Sequence, residues 1–445
     1  MSLRIVEIIK MRLNVSSLLQ RVAGGAFWSF LAALGNNLGN LLVGVILIHI
    51  LGKYAYGQYG MLRSTINMFI LFSSFSIGAT ATKYIAEFRD TDRAKTGRII
   101  GLSLLSVSIL SVVFFLGCYI GADYLAIHSL NSLEMSPYIK IGAWMILFAT
   151  MNGVCIGILS GFESFSLIAV INMIGAFVLV IGSWIGAWCW ELKGALIALS
   201  VYLGSMMIIS LFLFVTDLKK YQIVINFSDC SKELAMLWKF SLPTSLGGLL
   251  IAPVLWLGNT ILIKSPAGYD AMAVCDILNQ WKMAALFFPN IIGRIALPML
   301  SNLNSKNNGD DYFKAVKINF LLNVGTAFGV ALVLSIGSKW ILGMYGSSFT
   351  ANIIPFMLMM LATVFSAANS IIGQIILSKG QAWFGCFFNM LWAAVFLVSV
   401  YYFVCCLNYG VLGITLSFLI SYVCHTVWQY VFLYFTIEKI NGNYL

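Results

Sequence analysis

Apolar residues run along this chain in blocks of about twenty or more, separated by short polar stretches. That is the length a helix needs to cross a hydrocarbon layer of about 30 Å at 1.5 Å per residue. The blocks predict twelve spanning helices. Six lie near 22–51, 58–86, 97–122, 139–162, 166–190 and 194–216, and six near 238–263, 271–300, 314–337, 352–377, 382–406 and 410–435. Lipid offers backbone amides no partners, so spans of this kind form a helical bundle, and the expected fold class is an all-α polytopic membrane protein. The polar stretch at 217–237 divides the chain into a first bundle, 1–216, and a second, 238–445.

The second half echoes the first. Ile46-Leu47-Ile48 recurs as Ile261-Leu262-Ile263, Ile158-Leu159-Ser160 as Ile376-Leu377-Ser378, Asn172-Met173 as Asn389-Met390 and Leu199-Ser200 as Leu416-Ser417, at offsets of 215 to 218. Six helices per repeat means that both repeats enter the membrane from the same side. The pattern predicts two pseudo-symmetric bundles around a central cavity, related by an axis along the membrane normal.

Composition agrees: 60% of the 445 residues are hydrophobic and 9% charged, against roughly a quarter charged in soluble domains. Lys and Arg divide unevenly between the alternate connections, 19 on the side of the amino terminus against 5 on the other, which predicts that both termini are cytoplasmic. This positional bias accounts for the basic balance without any nucleic acid. The first 21 residues carry no evident cleavable signal, because the apolar run after Arg21 is span-length. Eight of nine cysteines lie in or beside apolar runs without C-x-x-C spacing, and His49, His128 and His425 are scattered, so no metal site is expected. Phosphate-loop, zinc-protease and nucleophile-elbow motifs are absent, no cofactor is called for, and no linker has room for a soluble catalytic domain. The chain reads as a transporter rather than an enzyme.

An ionisable side chain inside a span costs about 2.5–3.5 kcal/mol on insertion scales, so each retained one needs a partner, a wet cavity or a function. Arg63, Asp276 and Lys282 meet that description, all in the second helix of a half. Asn36, Asn37 and Asn40 add polarity to helix 1, Asn67 lies one turn beyond Arg63 on helix 2, and Asn259 lies in helix 7. Along helix 8, Asp276, Gln280, Met283, Phe287, Asn290 and Arg294 follow steps of four and three and share a stripe, whereas Lys282 falls on another face near Asn279. The alternative is that Asp276 pairs with Arg63 or Lys282 merely to fix helix packing. Pro243, Pro253, Pro289 and Pro298 predict kinks in helices 7 and 8, either static or mobile. Gly35/Gly39, Gly117/Gly121, Gly153/Gly157 and Gly182/Gly186 have the spacing of close helix contacts. Trp256 and Trp281 are minor candidates for stacking on sugar rings.

Several segments resemble the bacterial O-antigen and polysaccharide flippases: Gly24-Gly25-Ala26-Phe27-Trp28, Leu51-Gly52-Lys53-Tyr54-Ala55-Tyr56-Gly57-Gln58-Tyr59, and Gly78-Ala79-Thr80-Ala81-Thr82-Lys83-Tyr84-Ile85-Ala86-Glu87 with Gly97-Arg98 following. In the second half Gln280-Trp281-Lys282 and Leu297-Pro298-Met299-Leu300-Ser301 are similar to family segments on helix 8. That family belongs to the multidrug, oligosaccharidyl-lipid and polysaccharide exporter superfamily. The resemblance implies a cavity lined by helices 1, 2, 7 and 8, alternating access in a bacterial inner membrane, and an undecaprenyl-diphosphate-linked oligosaccharide as cargo. It further implies membrane lipids, a polysaccharide polymerase and a chain-length regulator as partners. On this reading Arg63, Lys282 and Arg294 hold the anionic head group, and Asn36, Asn40, Asn67, Gln280 and Asn290 meet the sugar. Asp276 either couples an ion or moderates the basic charge. The rival readings are a cation-coupled drug exporter of the same superfamily, which needs an acidic cavity, and a membrane polymerase or glycosyltransferase, which needs a sizeable outside loop.

Overall fold

The computed structural model describes residues 2–293, 309–378 and 382–441. Within them eight helical stretches are long and apolar enough to cross a membrane. Two of these, Ala33–Phe88 and Phe165–Tyr221, are far too long for one crossing: 57 residues of straight helix would extend about 85 Å. Each is broken near its middle. Gly52 has φ 76° and ψ 171° inside α1 (Ser2–Ser74), and Trp190 and Glu191 leave helical geometry inside α6 (Phe165–Tyr221). Counting both limbs of each, together with the segments 237–264 and 268–293, the described residues make twelve crossings, as the hydrophobic blocks predict.

Between these limbs run α2 (Ile77–Phe88), which extends the second limb of α1 past a break at Phe75 and Ser76, and α3 (Arg93–Ile120). The short α4 (Ala122–His128) and then α5 (Ser136–Gly161) complete the first half. The second half contains α7 (Leu242–Leu249), α8 (Ile251–Lys264), α9 (Gly268–Ala285), α10 (Gly309–Ile336) and the short α11 (Ser338–Gly343). It ends with α12 (Ile353–Ser378), α13 (Ala382–Val400), a π-helical turn at Tyr401–Cys406, and α14 (Gly410–Asn441).

The repeat seen in sequence returns in the backbone. Gly52 and Gly268 both have positive φ between the first and second crossings of their halves, as do Asn131 and Gly346 after the third, and Glu191 and Asn408 between the fifth and sixth. Each pair is about 216 positions apart. Within the first half, neighbouring helices approach through glycine: a Cβ on Gly157 would strike the Gly78 carbonyl, and one on Gly186 would lie 2.5 Å from the Gly194 oxygen. Gly39 abuts Ala176 at 3.4 Å, while Gly35, Gly117 and Gly153 have nothing within 4 Å of an added Cβ. The small-residue spacing therefore marks real contacts at some of the expected positions only.

Helices 7 and 8 are interrupted where their prolines require it. A proline ring clashes with the carbonyl four residues earlier. Accordingly α7 ends at Leu249, four before Pro253, and α9 ends at Ala285, four before Pro289, with helix resuming over 287–293. A π-helical turn at Leu237–Ser241 lies just ahead of Pro243. Pro298 lies outside the described residues. The connection at 222–236 crosses the start of α3, where its backbone carbonyls at Val224 and Asn226 occupy the space that side chains on Gly97 and Gly101 would need. Arg98 fastens it through Glu233 at 2.9 Å.

Candidate functional site

The two halves meet where the second limb of α1 lies against α8 and α9. Ordinary side chains would hold these helices apart, but three glycines cut a notch for α9. A Cβ on Gly57 would collide with the Tyr269 carbonyl, one on Gly60 would lie 3.2 Å from the Asp276 Cβ, and one on Gly44 would lie 2.6 Å from the Gln280 Oε1. Inside the notch the Arg63 Nη2 donates to Asp276 Oδ1 at 2.6 Å. The Tyr56 hydroxyl donates to the other carboxylate oxygen at 3.0 Å. Gln280 Nε2 donates to that same oxygen at 2.9 Å and to the Tyr56 hydroxyl at 2.8 Å. The Arg63 side chain keeps 23% of its surface exposed and Asp276 only 8%. The carboxylate is thus the more enclosed partner, and the Arg63 guanidinium also lies 5.8 Å from the Tyr59 ring centre.

Further contacts close this end of the molecule, called here the Gly52 end. The Tyr269 hydroxyl donates to the Leu130 carbonyl, Tyr54 meets Tyr269 edge-on, and the Lys53 ammonium lies 5.2 Å from the Phe349 ring centre. Toward the opposite end, Asn259 Nδ2 donates to Ser64 at 3.0 Å and Trp256 Nε1 to Thr65 at 3.1 Å. Near the connection at 222–236, the Thr80 and Ser241 hydroxyls bond across the halves at 2.5 Å.

The polar residues singled out in the sequence fall into three groups. Arg63, Asp276 and Gln280 come together as described. Asn67 on the Arg63 stripe, Asn36 on the first limb of α1 and Asn290 beyond the break in helix 8 are exposed; Asn40 is half-buried and donates to Asn36. Asn37 donates to its own helix, to the Ala33 carbonyl at 3.0 Å. Lys282 stands apart, 3% exposed, with its ammonium 4.5 Å from the Phe418 ring centre and 5.6 Å from that of Tyr422, both on α14. Arg294 lies outside the described residues. Trp281 donates its indole N–H to Tyr345, so both tryptophans named above are tied into packing through their nitrogens.

Sequence reasoning left Asp276 with two alternative partners, and the structure selects Arg63. Tyr56 and Gly57 stand out in the sequence only as part of a family-like segment, and Gly44 and Gly60 not at all. A signal existed: Gly57, Gly60 and Ser64 follow steps of three and four on the helix that carries Arg63. Among the described residues no group of His, Cys, Asp and Glu is arranged to hold a metal ion.

Comparisons place this architecture. An inward-facing multidrug resistance MATE transporter of the MOP superfamily superposes with a TM-score of 0.76 at 14% identity, covering 92% of this chain and 99% of its own. A MOP superfamily transporter from Pyrococcus furiosus, described as having a binding pocket of reversed polarity, superposes at 0.69 and 15% identity, covering 93% and 95%. At these identities the likeness is one of fold. In sequence, the EPS I polysaccharide export inner membrane protein EpsE of Ralstonia nicotianae is 23% identical over 205 residues, 44% of this chain and 45% of the relative. Its Ralstonia solanacearum counterpart is 22% identical over 203 residues. The match therefore spans less than half the length of these relatives. The profile of the family described as polysaccharide biosynthesis protein matches residues 22–304, well over half of the chain and including the whole of the Arg63–Asp276 notch. With twelve crossings in two related halves, this multi-pass membrane protein belongs to the polysaccharide biosynthesis protein family.

Proposed function

We propose that the protein flips an undecaprenyl-diphosphate-linked oligosaccharide from the cytoplasmic to the periplasmic leaflet by alternating access. The observation that carries this reading is Arg63: a guanidinium within a predicted span, on the seam between two repeated bundles, with its side chain 23% exposed and the exposed amide of Asn67 one turn further along the helix. A fixed cation in a low-dielectric site suits a diphosphate, and guanidinium binds phosphate with two parallel hydrogen bonds. Membership of the polysaccharide biosynthesis protein family and the export role named for its Ralstonia relatives support a glycan cargo.

In this mechanism the bundles 1–216 and 238–445 rock about the seam, joined by 217–237. The Gly52 end faces the periplasm and both termini face the cytoplasm, the orientation that the Lys and Arg distribution predicts. The head group enters beside Arg63, with Asn36, Asn40, Asn67 and Asn290 offered to the sugar, while the polyprenyl tail stays in lipid. Arg294 extends the basic stripe. Lys282, behind the seam, adds positive potential without touching cargo. The polymerase and chain-length regulator receive the product. A drug exporter of cations is disfavoured because Asp276 is already neutralised by Arg63.

The test is flipping of a fluorescent lipid-linked oligosaccharide in proteoliposomes. Arg63→Ala is expected to lower the rate at least about tenfold, the effect of losing a charged hydrogen bond of roughly 1.5–3 kcal/mol, and Lys282→Ala to lower it less. Unchanged rates in both variants, at normal expression, would remove the model.

A further inference from the structure

Asp276 has three donors and a side chain only 8% exposed, whereas the Arg63 side chain is 23% exposed, lies with its guanidinium 5.8 Å from the Tyr59 ring centre and, among the described residues, has one hydrogen-bonded carboxylate. A guanidinium carries five N–H donors in a planar fork, so a second anion can approach Arg63 while Asp276 is still bound. Asp276 cannot follow without disturbing Tyr56 and Gln280, and the notch glycines leave the two helices no slack. An arriving phosphate therefore competes with Asp276 for the ion pair that, among the described residues, crosses this seam at the Gly52 end.

From this we infer that Asp276 is a specificity-determining residue: a built-in anion that occupies Arg63 when no cargo is bound, so that a phosphate-bearing head group opens the Gly52 end by displacing it. The inference rests on the function proposed above and adds the chemical class that triggers release. A ligand shifts a conformational equilibrium only by its differential affinity for the two states. An anion has such a differential here, because Arg63 is shared with Asp276 in the closed state and free of it in the open one. A neutral glycan, or a carrier lacking phosphate, has none at this site, and binds without releasing the seam.

The closed state is otherwise held by contacts that carry little specificity. Beyond the ion pair, the Gly52 end is joined by the Tyr269–Leu130 hydrogen bond, the Tyr54–Tyr269 edge contact and the Lys53–Phe349 contact. Rim contacts of this kind steady a closed arrangement without choosing what opens it. The charged pair is the element whose strength depends on what else is bound to Arg63.

Spin labels at Tyr124 on α4 and Trp340 on α11, both exposed short-helix positions at the Gly52 end, report the separation of the two halves. The measurement uses full-length protein in nanodiscs, with the native cysteines replaced and inorganic pyrophosphate as the probe. In the otherwise unsubstituted protein, pyrophosphate is expected to raise the ratio of long to short distances about tenfold. Asp276→Asn should show the long distance without pyrophosphate. Arg63→Ala should show it too and no longer respond. The charge-reversed double variant Arg63→Asp with Asp276→Arg should return to the short distance, which separates loss of the latch from misfolding. If pyrophosphate binds in an Arg63-dependent manner, measured by calorimetry, yet Asp276→Asn stays as closed as the parent, the latch is overturned and the proposed function stands. If pyrophosphate does not bind the parent at all, both are overturned.

Discussion

Replacing Gly57 with alanine tests the seam with a single methyl group. The added Cβ would overlap the Tyr269 carbonyl oxygen and crowd the Ala273 nitrogen at 3.2 Å, so the obstruction is backbone, which cannot turn aside as a side chain can. Helix 2 and helix 8 must separate by a substantial part of a van der Waals radius, and with them Tyr56, Arg63 and Asp276. Overpacking at a tight contact costs about 1–3 kcal/mol. On the proposed alternating-access mechanism the contact exists only while the Gly52 end is closed, so that cost falls on the closed state and shifts the closed-to-open ratio by roughly 5- to 150-fold. The assay is hydrogen–deuterium exchange over 122–135 and 338–350, the short elements at that end, in detergent or nanodiscs. Gly325→Ala is the control, since nothing lies within 4 Å of a Cβ there. Faster exchange in both segments for Gly57→Ala, and not for Gly325→Ala, is the expected result. Equal exchange in the two variants would refute the claim that the glycine notch holds the seam shut.

Three further outcomes follow from the same contacts. Gly157→Ala places a methyl group against the Gly78 carbonyl within one bundle and should lower the thermal midpoint by the equivalent of about 1–3 kcal/mol without altering exchange at the Gly52 end, as read by fluorescence-detected size exclusion after heating. Thr80→Val removes the bond to the buried Ser241 hydroxyl, a loss of about 1 kcal/mol measurable in the same way. Lys282→Met exchanges a buried cation that has aromatic faces but, among the described residues, no carboxylate beside it for an apolar chain of similar length. Stability should hold or rise by up to about 2 kcal/mol, and a loss of several kcal/mol would show that the ammonium has a stabilising partner.

Much of this architecture was legible because membrane helices write themselves into sequence as long apolar runs, and because several of the breaks between them fall at glycine, asparagine and proline, although those at Phe75–Ser76 and Trp190–Glu191 do not. The twelve crossings, the repeat and the interruptions of helices 7 and 8 all belong to that class. The three intramembrane charges were legible by cost alone. What could not be read was which partner each would take. Asp276 pairs with a residue 213 positions away, and Lys282 finds rings on α14, more than 130 positions on, where nothing in the local pattern distinguishes Phe418 from its many aromatic neighbours. The notch escaped notice for a different reason. Gly57 and Gly60 are three apart and their third member, Gly44, lies on the preceding limb, so a search for glycines four apart passes over them. Helix 1 also begins earlier than its apolar run: α1 starts at Ser2, where hydrophobicity gives no sign of a membrane crossing.

On the proposed function, a phosphate-bearing lipid-linked glycan is what crosses at this seam. That crossing is tested most directly by reconstituting the protein in liposomes loaded on one leaflet with fluorescent undecaprenyl-diphosphate oligosaccharide and following its appearance on the other leaflet by reaction with a membrane-impermeant reagent. A parallel set of liposomes carries a fluorescent cationic drug. Protein-dependent translocation of the lipid-linked glycan, lost in Arg63→Ala, with no movement of the drug above protein-free liposomes, is the predicted result. Drug movement without glycan movement would contradict the account.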